Sequence, residues 1–199
     1  MKKISILKKS VYLLLIITLS GCIGRSSPSH FYMLNIENDN YTSQQCKYNS
    51  IGIMPIDIAG YLKQPQIVTQ TDTTEYKISE FARWAEPIKD TLDNELNSSF
   101  QKQLNISQVY NYPWGRDFPE IILFLNIRRF HCLTNLNQCV LTASWTLSDT
   151  KLKKTISTKT KTLTSDLPDN DFTVITQQMS TLLKELSENI IQDIIQSQQ

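Results

Sequence analysis

Glycine and histidine are scarce in this chain of 199 residues. Five glycines leave little backbone for cradling a phosphate, and no Walker loop, dinucleotide fingerprint or Gly-x-Ser-x-Gly elbow occurs. With two histidines, His30 and His131, and no His-Glu-x-x-His, the chain lacks a zinc-protease helix. Long hydrophobic runs are also missing. The longest, Val11–Leu19, has nine residues and is interrupted only by Thr18, whereas a spanning helix needs about 20. Neither sign of charge dominates. Lys and Arg number 20 against 19 Asp and Glu, a balance that argues against nucleic acid as the partner.

What is present begins at the amino terminus. Lys2, Lys3, Lys8 and Lys9 precede the apolar run, and Leu19-Ser20-Gly21 supplies small residues just before Cys22. Basic region, short apolar region and small-residue site read as a targeting segment. Leu-Ser-Gly-Cys resembles the bacterial lipobox, in which the cysteine is acylated and becomes the first mature residue. The resemblance assigns residues 1–21 to a lipoprotein signal peptide and residues 22–30 to an acylated Cys22 with a short tether. Residues 31–199 are then the folded domain. Several acyl chains give stable bilayer attachment where one gives only marginal binding. Ile23 stands where inner-membrane retention has Asp, which by resemblance directs the protein to the outer membrane, facing the periplasm. Loss of the leader removes four lysines, so the formal charge falls from +1 by four, to −3. The Gly24–Ser29 stretch, at about 3.3–3.6 Å per residue, holds the body within some 20–30 Å of the membrane.

Three cysteines remain once Cys22 is acylated. Cys132 and Cys139 flank a polar loop between two strand-like runs, which puts them opposite each other across a hairpin. A disulfide and a pair of free buried thiols are both open there, and Cys46 is left over. Strands are expected over Phe31–Ile36, Ile51–Ile58 (bent or interrupted at Pro55), Gln66–Thr71, Glu75–Ser79, Ile121–Ile127, Val140–Ser148 and Lys151–Leu163. Leu141, Ala143, Trp145 and Leu147 alternate with Thr and Ser, the mark of a sheet with one buried and one wet face. Ile88, Leu92, Leu96, Phe100 and Leu104 recur every fourth residue in a helix over Glu86–Leu104. A second helix is expected over Phe172–Gln196. The class is α+β, a mostly antiparallel sheet covered by two helices in a single domain.

No catalytic constellation stands out. His131, Cys132 and Cys139 are too few and too widely spaced for a structural zinc site, and Cys139 with His131 lacks an orienting third group. No metal and no cofactor is expected. The conspicuous stretch is GYLKQPQIVTQ followed by EFARWAEPIKD. Tyr61, Leu62, Pro65, Gln66, Ile67, Val68, Phe81, Trp84 and Pro87 are candidate interface residues, since aromatics near loops often anchor partners. Trp84 has two readings, a plug between helix and sheet or a surface anchor.

Gly60–Val68 resembles the Tyr-Leu-x-x-Pro-Gln-Ile-Val stretch of PqiC/YmbA-like lipoproteins, the ABC-type transport auxiliary lipoproteins. Phe81–Pro87 resembles their Trp-Ala-x-Pro helix entry, Phe31–Leu34 their Tyr-x-Leu start, and Ala143–Leu147 their late Trp-containing strand. Lys63-Gln64 departs from the Asp-Arg usual before the proline. The resemblance implies an outer-membrane component of an intermembrane transport system that catalyses nothing. Its implied partners are a periplasmic MCE-domain protein and inner-membrane transport components, and its implied cargo is phospholipid. Self-association as a homo-oligomer, with a ring as one form, is implied too. The alternative is a structural or assembly scaffold lipoprotein of another envelope complex.

Overall fold

The computed structural model describes residues 27–36, 43, 45–106 and 108–197. Cys22 and the whole leader lie outside them. The chain forms short β1 (His30–Tyr32), β2 (Ser50–Ile53) and β3 (Asp57–Ile58), a 3-10 turn (Gly60–Lys63), then β4 (Gln66–Gln70) and β5 (Tyr76–Trp84). Helix α1 (Ile88–Leu104) and β6 (Gln108–Asn111) follow. The long strands β7 (Ile121–Leu133), β8 (Gln138–Asp149) and β9 (Lys154–Asp166) lead into α2 (Phe172–Gln196).

The sheet is mixed, which corrects the expectation of a mostly antiparallel one. β7, β8 and β9 form an antiparallel meander, and β4 pairs antiparallel with β5. The other edge of β7 is taken in turn by β2, β3 and β4, all parallel to it, while β6 lies parallel to β2 and β1 parallel to β5. Hairpins leave a local signature in turn residues. Parallel pairing joins strands that are distant in sequence, with nothing local to announce it. Pro55 separates β2 from β3 as expected. β5 runs on to Trp84, five residues past its expected end, through an irregularity in its pairing with β4 where Ser79 Oγ accepts the Ala82 N–H at 2.9 Å. Residues 33–36 are not strand. Side chains of both helices take their backbone donors, with Asn35 N on Ser180 Oγ and Ile36 N on Glu95 Oε2.

Both helices lie on one face of the sheet. The five-residue stripe of α1 is wholly buried, as are Ile175, Met179, Leu182, Leu183, Leu186, Ile190, Ile191 and Ile194 of α2. At four-residue spacing these side chains share one helical face, which is why the core forms there. Small residues let the helices approach closely: Ser99 and Ser187 hydroxyls are 2.7 Å apart, and Gln103 Nε2 donates to Ser99 Oγ. Asp171 caps α2 by accepting the Thr173 N–H at 2.7 Å. Pro87 occupies the N-cap position of α1, one residue before its first helical turn.

Asp193 fastens α2 to the sheet. It is 3 % exposed and accepts from Trp145 Nε1 at 2.8 Å and Ser157 Oγ at 2.5 Å, with Lys159 Nζ at 2.6 Å. Burial pushes its carboxyl up, but the bonds from Lys159, Ser157 and Trp145 outweigh that and hold it below the usual value.

Candidate docking surface and a neighbouring polar node

The family-like segments meet side by side. Gln66 of β4 lies opposite Arg83 of β5, and the Trp84 N–H donates to the Pro65 carbonyl at 2.8 Å. β1 continues the row, with Phe31 opposite Arg83 and Ala85 N donating to Tyr32 O at 2.8 Å. Three stretches remote in sequence therefore share one patch of sheet.

Burial sorts the nine candidates. Leu62, Ile67 and Trp84 belong to the core on the helix side, and Trp84 is only 7 % exposed. Val68 is buried outside that main core. Tyr61 and Gln66 are half-buried, while Pro65, Phe81 and Pro87 reach solvent. Exposed Phe31 joins them, and Arg83 Nε finds no hydrogen-bond partner within the protein. The outer surface here is thus proline and phenylalanine around a guanidinium.

Farther along β4, at its Gln70 end, lies a polar node that the sequence does not announce. The Tyr61 hydroxyl accepts the Phe130 N–H at 2.8 Å and sits 2.7 Å from His131 Nδ1. His131 Nε2 sits 2.8 Å from Gln70 Oε1, and Gln70 Nε2 donates to Thr73 O at 2.9 Å. One proton arrangement satisfies every member: Tyr61 donates to Nδ1, and a neutral imidazole donates through Nε2 to the amide oxygen. The rings of Tyr61, Tyr76 and His131 pack with centroids 5.1–5.5 Å apart. His131 is fully buried, and this desolvation, reinforced by Arg129, lowers its pKa to about 4. Burial likewise pushes the Tyr61 hydroxyl up to about 12. At neutral pH the imidazole is uncharged and both its nitrogens are engaged, so the node braces β4 against β7.

A bulge makes this arrangement. Ile127 pairs with Ala143 and Arg129 with Thr142, leaving Arg128 as an extra residue in β7. The insertion reverses the alternation beyond it. Phe130 and Cys132 turn into the main core, and His131 turns to the opposite face. Cys132 then lies on the same side as its cross-strand partner Cys139, and the two form a disulfide. This separates His131 from both sulfurs, so the three make neither a ligand set nor a nucleophile–base pair. Among the described residues no three His, Cys, Asp or Glu side chains converge on a metal position, and no helix is long and apolar enough to cross a membrane. A groove of about 430 Å³ beside α2 is lined by Met33 and Asn35 and, from the helix, by Thr176, Gln177, Ser180, Thr181 and Lys184.

Comparison with solved structures places the fold among known ones. An uncharacterized protein is 20 % identical, with a TM-score of 0.71 over 84 % of this chain and 99 % of its own. A Xanthomonas campestris protein of the DUF330 family is 15 % identical, with a TM-score of 0.69 over 85 % and 97 %. At these identities the likeness is one of fold. Comparison with curated protein sequences gives no match. The model of the ABC-type transport auxiliary lipoprotein component matches residues 32–191, running from the end of β1 through most of α2, and the chain belongs to that family.

Proposed function

We propose that this protein is an outer-membrane lipoprotein held by acyl chains on Cys22 and facing the periplasm. It serves there as a non-catalytic docking component of an intermembrane lipid transport system. Its partners are a periplasmic MCE-domain protein, inner-membrane transport components and further copies of itself, with phospholipid as cargo. The observation that carries this reading is the convergence of the family segments, which sets the exposed Pro65 and Phe81 beside Phe31 at the paired ends of β1, β4 and β5. Exposed aromatic side chains on a rigid sheet are suited to act as anchors in a protein interface.

Phe81, at 36 % exposure, is a sharper probe of this surface than Trp84, whose removal would cut into the core. Phe81→Asp should lower crosslinked capture of the MCE-domain partner from envelopes about tenfold, equivalent to about 1.4 kcal/mol, with an unchanged circular dichroism spectrum. Unchanged capture would remove the surface from the reading. Cys22→Ser should release the protein to the soluble periplasmic fraction, and Cys22→Ser protein that still floats with outer membranes would overturn the anchor.

A further inference from the structure

The direction of β1 tells where the anchored chain leaves the domain. β1 runs parallel to β5 with His30 opposite Ala82, so the chain before His30 is directed toward Ile78 and the turn between β4 and β5. That turn and the tip of the β7–β8 hairpin form one pole, joined where Thr134 N donates to Gln70 O at 2.9 Å. Seven residues lie between Cys22 and His30, and the eight steps span at most about 26–29 Å.

The same pole exposes apolar side chains. Leu136, in the hairpin tip, is 63 % exposed, and Ile78 and Tyr76, just past the β4–β5 turn, are 55 % and 44 % exposed. The pole is also stiff. The Cys132–Cys139 disulfide closes the hairpin beneath Leu136, and the ring cluster with Tyr61 and His131 holds Tyr76. Asp72, Glu75 and Lys77, in and beside the turn, are all exposed, two acids to one base, leaving no basic surplus there to attract anionic headgroups. An apolar tip of this kind, carrying an amphipathic tyrosine, fits the headgroup–acyl boundary of a zwitterionic bilayer.

Resting on the anchor reading above, we infer that the hairpin pole (Leu136, Ile78 and Tyr76) lies in the surface of the phospholipid bilayer that holds the acyl chains. The domain then stands on the membrane by this pole. Loop 112–120, with Tyr112, Trp114 and Phe118, adjoins the amino-terminal end of β7 and points away from the membrane.

Quenching by brominated lipid tests this. The processed, acylated full-length protein is placed in phosphatidylcholine vesicles with brominated acyl chains. The variants are Leu136→Trp, Ile78→Trp as a second reporter on the same pole, and Phe118→Trp as the control. The emission added at Leu136 or Ile78 should be quenched about threefold more than that added at Phe118, because interfacial apolar groups reach roughly 5–10 Å into the headgroup–acyl boundary. Equal quenching of all three in protein that floats with the vesicles overturns the pole and leaves the anchor standing. Blue-shifted but unquenched emission at Leu136 assigns the pole to a protein contact and equally overturns the inference. Unmodified protein that fails to float overturns the anchor, and the pole with it.

Discussion

Removing a single oxygen from Tyr61 tests the node that ties the family segment to the sheet. In Tyr61→Phe the ring remains, but the buried Phe130 N–H and His131 Nδ1 both lose their partner. Each stranded buried group costs roughly 1–3 kcal/mol, so the variant should lose about 2–6 kcal/mol in urea denaturation at neutral pH. His131 adds a pH signature. Its pKa falls from 6.5 to about 4 on folding, so between those values the unfolded chain binds more protons than the folded one. Stability therefore declines as pH drops through that window, by about 3 kcal/mol in total, and His131→Asn lacks this component. Protonation requires Nδ1 to become a donor, which conflicts with its role toward the Tyr61 hydroxyl. In Tyr61→Phe that conflict is gone and the folded pKa moves back toward 6.5, so the decline should still begin near 6.5 but end at higher pH and be smaller in size. A Tyr61→Phe loss under about 0.5 kcal/mol would refute the reasoning, because changes that small are typical of surface substitutions. So would a difference between wild type and His131→Asn that stays flat with pH.

Asp193→Ala should cost about 2–3 kcal/mol by urea denaturation, below the full cost of breaking a buried pair because Lys159 is 41 % exposed. Because the Asp193 carboxyl is held below its ordinary value, its contribution is present above about pH 4 and disappears as pH falls through the lower folded value, so the variant's stability curve should converge with that of wild type in acid. Replacing Cys132 and Cys139 together by Ala should lower stability by about 2.5 kcal/mol through chain entropy alone, given a sequence separation of 7. Hydrogen exchange should then rise most at the amides of residues 133–138, and protection there equal to wild type would show that the bridge does not hold the tip.

Sequence periodicity alone determined the class and the two helices. The fourfold spacing from Ile88 to Leu104 and the broad stripe of α2 leave each helix one face to bury, and that face is the one against the sheet. Alternation in Val140–Ser148 likewise set which side of β8 is wet, and Pro55 divided β2 from β3, because these are local consequences of geometry and of a missing N–H. Tertiary structure alone decided the rest. Strict alternation from Ile121 would turn His131 toward the helices and Cys132 away from them. The extra residue at Arg128 reverses both, which permits the disulfide and builds the Tyr61–His131–Gln70 node. A bulge is chosen by the strand it pairs with, and three short parallel partners along β7 are chosen by chain crossovers. Both are long-range contacts, and local residue patterns carry no record of them.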